Sequence, residues 1–217
     1  DPLWSRGLGD VYKRQVHRSL YTDPAIFDLE MQRIYGRAWV YVGHESQVPK
    51  TGDYHTTRLG DQDVLMVRAT DGRVHVLYSR CPHKGAKVVA DGDGCVGKFF
   101  RCPYHAWTFK LDGSHLGVPL KQGLEGTSYD PTDPSFSMRR LPRVESYRGF
   151  VFASQARDGQ GLEDFLGGAR SSIDNLCDRS PVGEVEVAGG IFRVMQRSNW
   201  KVSVSYTHLT LPTNREV

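Results

Sequence analysis

"SRCPHKGA", residues 79–86, sets Cys81 and His83 on either side of Pro82. A thiol and an imidazole this close invite a metal, but two donors do not complete a site. The only comparable stretch is "RCPYHAWTF", residues 101–109, which supplies Cys102 and His105. Together they read Cys81-x-His83, eighteen residues, Cys102-x-x-His105, with a proline after each cysteine. Both halves fall between strand-like segments, where loops can wrap a metal group.

Two kinds of site compete for this pattern. A structural zinc site of the finger type takes two cysteines from one pair and two histidines from the other. Here each pair is mixed. Mixed pairs suit a two-iron cluster with both thiolates on one iron and both imidazoles on the other, the Rieske [2Fe–2S] arrangement. Neutral imidazoles leave less negative charge on such a cluster, so it accepts an electron more readily.

Around this constellation the chain changes pattern twice. "YTDPAIFDLEMQRIYGRAW" predicts one helix, capped by Thr22 or Asp23, with Pro24 in its first turn and Phe27, Met31, Ile34, Tyr35 and Ala38 on one face. From Val40 to about Ser154 the period shortens to two. "WVYVG", "DYHTTRL", "DVLMVRA", "RVHVLYS", "KFFR", "WTFKLDGSHLG" and "RVESYRGFVFAS" read as strands, with hairpin signals at Asp71-Gly72 and Asp112-Gly113. "GLEDFLGGARSSIDNLC" predicts a second helix, weakened at Gly167-Gly168. "GEVEVAGGIFRVMQRSNWK" is strand-like and looks like the entrance to another domain.

Composition narrows the function classes. The 217 residues are 39% hydrophobic and 24% charged, carry a net charge of +3, and show no Lys/Arg stripe, which disfavours nucleic acid or a membrane surface as partner. No apolar run reaches the length of a spanning helix and no secretion signal opens the chain, so the expected compartment is the cytoplasm. Four cysteines in such a chain predict metal ligands and free thiols rather than bridges. Cys95, in a turn, and Cys177, on a helix face, are read as free thiols. His44, His55, His75 and His115 lack partner ligands in their patterns and are read as surface or packed residues.

The loops resemble those of Rieske proteins. In the respiratory branch each loop carries a further cysteine and the two form a disulfide. Ala86 and Tyr104 occupy those positions here, and Trp107 stands where that branch has a serine bonded to the cluster. "CPHKGA" and "CPYHAW" instead resemble the large subunits of Rieske non-haem iron ring-hydroxylating oxygenases, with Lys84 where that family usually has Arg and Ala106 where it usually has Gly. "DPAIFDLEMQRIYGRAWVYVGHESQVP", "SYRGFVFAS" and "NWK" (199–201) extend the resemblance over about Val16 to Ser203. "HESQVPKTGDYHTT" is most similar to the benzoate and anthranilate type.

The resemblance implies a mostly β fold: a Rieske domain of antiparallel sheets (40–154), preceded by a helix (16–39) and followed by the truncated start of an α+β catalytic domain (155–203). It implies cluster ligation by Cys81, His83, Cys102 and His105, with Lys84, Tyr104 and Trp107 around them. Tyr104 is expected to pack against its own loop and Trp107 to shield the cluster. It also implies electrons from an NADH-dependent reductase, directly or through a ferredoxin, passed to a mononuclear Fe(II) that activates O2 to cis-dihydroxylate an arene. A homotrimer, or three large with three small β subunits, is the implied assembly. A demethylating monooxygenase and a stand-alone Rieske ferredoxin are the alternatives. A carrier needs only the β domain, so the flanking segments argue against the ferredoxin.

The ends depart from the family. "RGLGDVYKRQ" and "VSYTHLTLPTNREV" are similar to translated sequencing-adapter read-through, so 1–15 and 204–217 are expected to be non-native. His208 in the second tail has no second histidine and is not expected to bind iron. No mononuclear iron site, hence no catalytic residue, is expected in this chain.

Overall fold

The computed structural model describes residues 17–188, 194 and 196–203. Both terminal segments named above, and His208, lie outside the described residues. The chain divides into two compact units, one running from 33 to 189 and one drawn from residues before 33 and after 189.

The larger unit is built from three antiparallel sheets. Strands β1 (Val40–His44), β9 (Arg143–Tyr147) and β10 (Phe150–Ser154) form one in the order β1-β10-β9; β2 (Asp53–Leu59), β3 (Gln62–Arg68), β4 (Val74–Tyr78) and β5 (Asp93–Cys95) form the second in the order β4-β3-β2-β5; β6 (Phe99–Arg101), β7 (Thr108–Lys110) and β8 (His115–Gly117) form the third in sequence order. The four-stranded sheet is apolar on both faces. Val64, Met66 and Val76 enter one core with Val42, Val151 and Ala153. Leu65, Val67 and Leu77 enter a second core with Phe100, Phe109, Cys81 and Cys102. This explains the unbroken run "VLMV": a strand covered on both faces has no solvent side to alternate with.

Turn chemistry fixes the hairpins. Gly72 and Gly113 hold φ of 77° and 86° in the two Asp-Gly turns. Two further hairpins turn at Gly60 and at Arg148-Gly149. Arg148 and Gly149 both have positive φ, as a type I′ turn requires. β5 was not expected, because "DGC" has little strand propensity. It forms by pairing with the edge of β2, Asp53 opposite Cys95. Cys95 therefore lies on a strand, exposed, rather than in a turn.

The predicted first helix is broken. α1 (Ser19–Thr22) and α2 (Pro24–Glu30) lead into a π-turn over Met31–Tyr35. Asp23 caps α2 by accepting the Ala25 N–H at 2.9 Å, with Pro24 next to it. Phe27 and Ile34 are exposed and Glu30 is the buried residue of α2, so the expected apolar face is not the buried one. Within the smaller unit the Glu30 carboxylate accepts Trp200 Nε1–H at 2.9 Å and pairs with the Lys201 ammonium.

The second predicted helix divides at its glycine pair into α3 (Leu162–Leu166) and α4 (Arg170–Cys177), with Gly167 at φ 47°. Cys177 is buried as its helical face predicted. Residues 184–188 form no strand, which corrects the strand-like reading of "GEVEV". The alternation there finds no sheet edge, and Val187 N–H donates instead to Ser46 Oγ at 3.0 Å.

Candidate metal centre

The two Cys/His stretches fold into the same six-residue frame. In the first, Cys81 N–H donates to the Ala86 carbonyl at 2.9 Å and Gly85 N–H donates to the Cys81 carbonyl at 2.9 Å. In the second, Cys102 N–H donates to the Trp107 carbonyl at 2.8 Å and Ala106 N–H to the Cys102 carbonyl at 3.0 Å. The fifth residue of each frame is left-handed, Gly85 at φ 73° and Ala106 at φ 54°. The first frame follows β4. The second is the tip of the β6–β7 hairpin, where Arg101 pairs with Thr108.

Each frame points its cysteine inward. Cys81 and Cys102 are buried, unbridged, and in hydrogen-bonding contact with each other. Burial raises the Cys81 thiol above its usual range. The backbone N–H of His83 pulls it down, Cys102 beside it pushes it up, and the Lys84 N–H pulls it down again. Two apposed, buried thiols with amide donors aimed at one sulfur are poor thiolates by themselves, and become good ones when a cationic iron shares their charge.

The imidazoles lie toward the surface. His83 is exposed and His105 half-buried, their ring centroids 4.7 Å apart at 70°. Desolvation, then the positive charges of His105 and Lys84, hold His83 below the ordinary imidazole range, which favours the neutral form a metal needs. Trp107 stacks face to face on His83, centroids 4.9 Å apart and planes within 4°. Its other contacts are with His115, edge-on at 5.6 Å, and Phe136. Buried His115 bonds Tyr129 Oη through Nε2 at 2.8 Å, and its backbone N–H donates to Ser137 Oγ at 3.0 Å. The loop after β8 thereby braces Trp107.

Tyr104 packs against its own loop, as expected, but is not buried. It is 67% exposed, so its hydroxyl needs no buried partner, and its ring leans on His105 at 4.0 Å. Lys84 is exposed and faces the site through its backbone amide. Among the other histidines, His55 is buried against Asp93 at 2.5 Å and His44 is buried beside Phe150, both remote from the four donors in their bonding. The bracing by His115 and Tyr129 was not read from sequence. Its signal is two aromatic residues, Tyr129 and Phe136, in an otherwise Pro/Gly/Ser-rich loop.

Among the described residues no three His, Cys, Asp or Glu side chains gather as one ion would require. The donors present are two thiols in contact and two imidazoles in contact. That two-plus-two set fits the chemistry of a [2Fe–2S] group better than that of a single four-coordinate ion.

Residues 38–131 match the Rieske [2Fe-2S] domain family. The chain is 38% identical to the toluate 1,2-dioxygenase subunit alpha of Pseudomonas putida over 187 residues, 86% of this chain and 41% of that one. The chain belongs to the Rieske oxygenases. Similarity is also 38% to the anthranilate 1,2-dioxygenase large subunit of Acinetobacter baylyi, over 88% of this chain and 40% of that subunit. The naphthalene 1,2-dioxygenase of Rhodococcus sp., solved with indole, superimposes with a TM-score of 0.81 at 30% identity, covering 96% of this chain and 49% of that structure. This Rieske oxygenase chain thus spans about two fifths of the length of the curated relatives it matches. Among the described residues no helix is long and apolar enough to cross a membrane.

Proposed function

We propose that Cys81 and Cys102 bind one iron of a Rieske [2Fe–2S] cluster and His83 and His105 the other, and that the chain is the electron-relay part of an aromatic ring-hydroxylating dioxygenase. The observation that carries this reading is the paired six-residue frame, which buries both thiols and leaves both imidazoles toward solvent. When bound, the cluster accepts and passes on single electrons. The residues set the conditions for that. The His83 and Lys84 amides donate to Cys81 sulfur, which withdraws electron density and favours reduction. Neutral imidazoles serve as ligands, and the exposed His83 edge gives a redox partner access. Trp107 fixes the His83 ring and keeps water from one of its faces.

In this proposal residues 40–154 are the relay domain, 16–39 the leading helix and 155–203 the start of the catalytic domain. The wider activity rests on the relatives, two of which are named for aromatic acids. The full-length protein would take electrons from an NADH-dependent reductase, with or without a ferredoxin, assemble as a trimer alone or with small β subunits, and use a mononuclear Fe(II) to form a cis-dihydrodiol from an arene carboxylate.

The test is anaerobic reconstitution of the 217-residue chain with iron and sulfide. Two irons per chain, visible absorption and a rhombic electron paramagnetic signal on reduction are expected. A colourless, zinc-loaded, four-coordinate product would overturn the assignment.

A further inference from the structure

Away from the metal centre, a cleft of about 530 Å³ opens beside the edge of β4 that faces away from β3. Three stretches of chain build it: Tyr78 at the end of β4, the segment 132–142, and the turn after β10. Residues 139–141 run beside β4, Tyr78 N–H donating to the Arg139 carbonyl and Leu141 N–H to the Val76 carbonyl, both at 2.9 Å. Tyr78 Oη donates to Gln155 Oε1 at 2.9 Å, which ties the turn carrying Arg157 to the same wall. The cleft is therefore held open by backbone pairing and a cross-chain hydrogen bond.

Its charge is one-sided. Arg139, Arg140 and Arg157 line it and no lining residue is acidic. Arg140 is paired with Asp112 at 2.8 Å. Arg139 lies over the Tyr78 ring at 5.0 Å, and neither it nor Arg157 has a carboxylate partner among the described residues. Two uncompensated guanidinium groups around a cleft of small-molecule size select an anion.

The rest of the lining says which anion. Among the other lining residues Pro134, Pro142 and Tyr78 offer flat or apolar surface, and Met138 backs the cleft from the core. Two of the three lining Ser/Thr hydroxyls already donate elsewhere, Ser114 Oγ to Asp112 and Thr132 Oγ1 to Asp130, while Ser137 Oγ accepts the His115 N–H and keeps its own hydrogen. A phosphate would use the guanidinium groups and the Ser137 hydroxyl but none of the apolar surface, while a ring bearing one carboxylate uses both the guanidinium groups and that surface.

We propose that this cleft binds an arene carboxylate, at a site separate from the metal centre. A ligand of benzoate size in an open cleft should bind at about millimolar strength.

The experiment titrates the 217-residue chain with benzoate, benzyl alcohol and inorganic phosphate by calorimetry and ligand-observed nuclear magnetic resonance. Saturable benzoate binding is expected, with the alcohol and phosphate each about tenfold weaker or more. Arg139→Gln and Arg157→Gln should each weaken benzoate severalfold. Arg58→Gln, which removes an exposed arginine paired with Asp63 elsewhere, should not. Unchanged thermal unfolding in each variant keeps the comparison free of misfolding. The proposal is overturned if benzoate does not saturate, if the cleft variants bind it as the unsubstituted chain does, or if phosphate or benzyl alcohol binds equally well. Because the readout is ligand binding, it is independent of whether iron is loaded.

Discussion

The two Cys/His loops share a backbone and differ in what they hang on it. Each closes the same pair of hydrogen bonds across six residues, begins with a buried cysteine and turns through a left-handed fifth position. The histidine is third in one frame and fourth in the other, and that one-residue offset lets the two rings meet at 4.7 Å. The coverings differ too. Trp107, whose carbonyl closes the second loop, lays its indole on the histidine of the first. The frame is a property of main-chain geometry, while chemistry is assigned by which position carries which side chain.

If the frames are equivalent in holding iron, either cysteine is indispensable. Cys81→Ser and Cys102→Ser should each abolish two-iron incorporation, read by iron analysis and visible absorption; a variant that keeps a full cluster would break the equivalence. Swapping the imidazoles is the next largest effect. His83→Cys or His105→Cys adds thiolate charge and should lower the midpoint potential on the order of 100 mV or more, measured by redox titration. A rise in either variant contradicts the ligand assignment.

The coverings predict an asymmetry. Trp107→Ala strips the stack from His83 and should speed cluster loss to an iron chelator severalfold. Tyr104→Ala removes a ring that is mostly in water and should change the rate little. Equal rates would mean that the stack does not protect the site. The left-handed corner is subtler. Ala106 pays a steric cost there that Gly85 does not, so Ala106→Gly should stabilise the chain by about 1 kcal/mol and Gly85→Ala destabilise it by about 1 kcal/mol in urea unfolding. Around Gly85 there is open space, so conformation alone is tested.

A site outside both loops supplies the smallest effect and a control. Burial pushes the Glu45 carboxyl up, but hydrogen bonds from Ser146 and Arg68 outweigh it and leave the group below its ordinary value. A depressed carboxylate contributes its stability above the unfolded value, near pH 4 to 5, and loses it as pH falls through the folded one. Glu45 is over a third exposed, so the contribution is screened. Glu45→Gln should cost under about 1 kcal/mol at pH 7, and the difference should vanish in acid. Cluster absorption should not follow it.

Much of this was legible because it depends on residue type and spacing. The mixed Cys/His pairs single out the four side chains that the two frames present, Asp-Gly marks two hairpins, and "VLMV" marks the strand between two cores. What was not legible depends on partners distant in sequence. β5 exists because β2 offers an edge, and "GEVEV" is not a strand because no edge is offered. The helix over 24–35 satisfies the amphipathic count but takes an extra residue into one turn, which side-chain periodicity does not record. Tyr104 does pack on its own loop, against His105, but its exposure depends on how the loop faces, which residue type does not record.

The buried Glu30 carries a consequence for how the protein is made. Its partners, Trp200 and Lys201, are about 170 residues later in the chain. At ribosomal speeds of about 5–20 residues per second, Glu30 waits on the order of ten to thirty seconds after it is synthesised before its counter-charge exists. Through that interval the leading helix has a carboxylate that is costly to bury, and by its end every strand of the sheet-bearing unit has been made. A helix made before the strands thus completes its burial only after them.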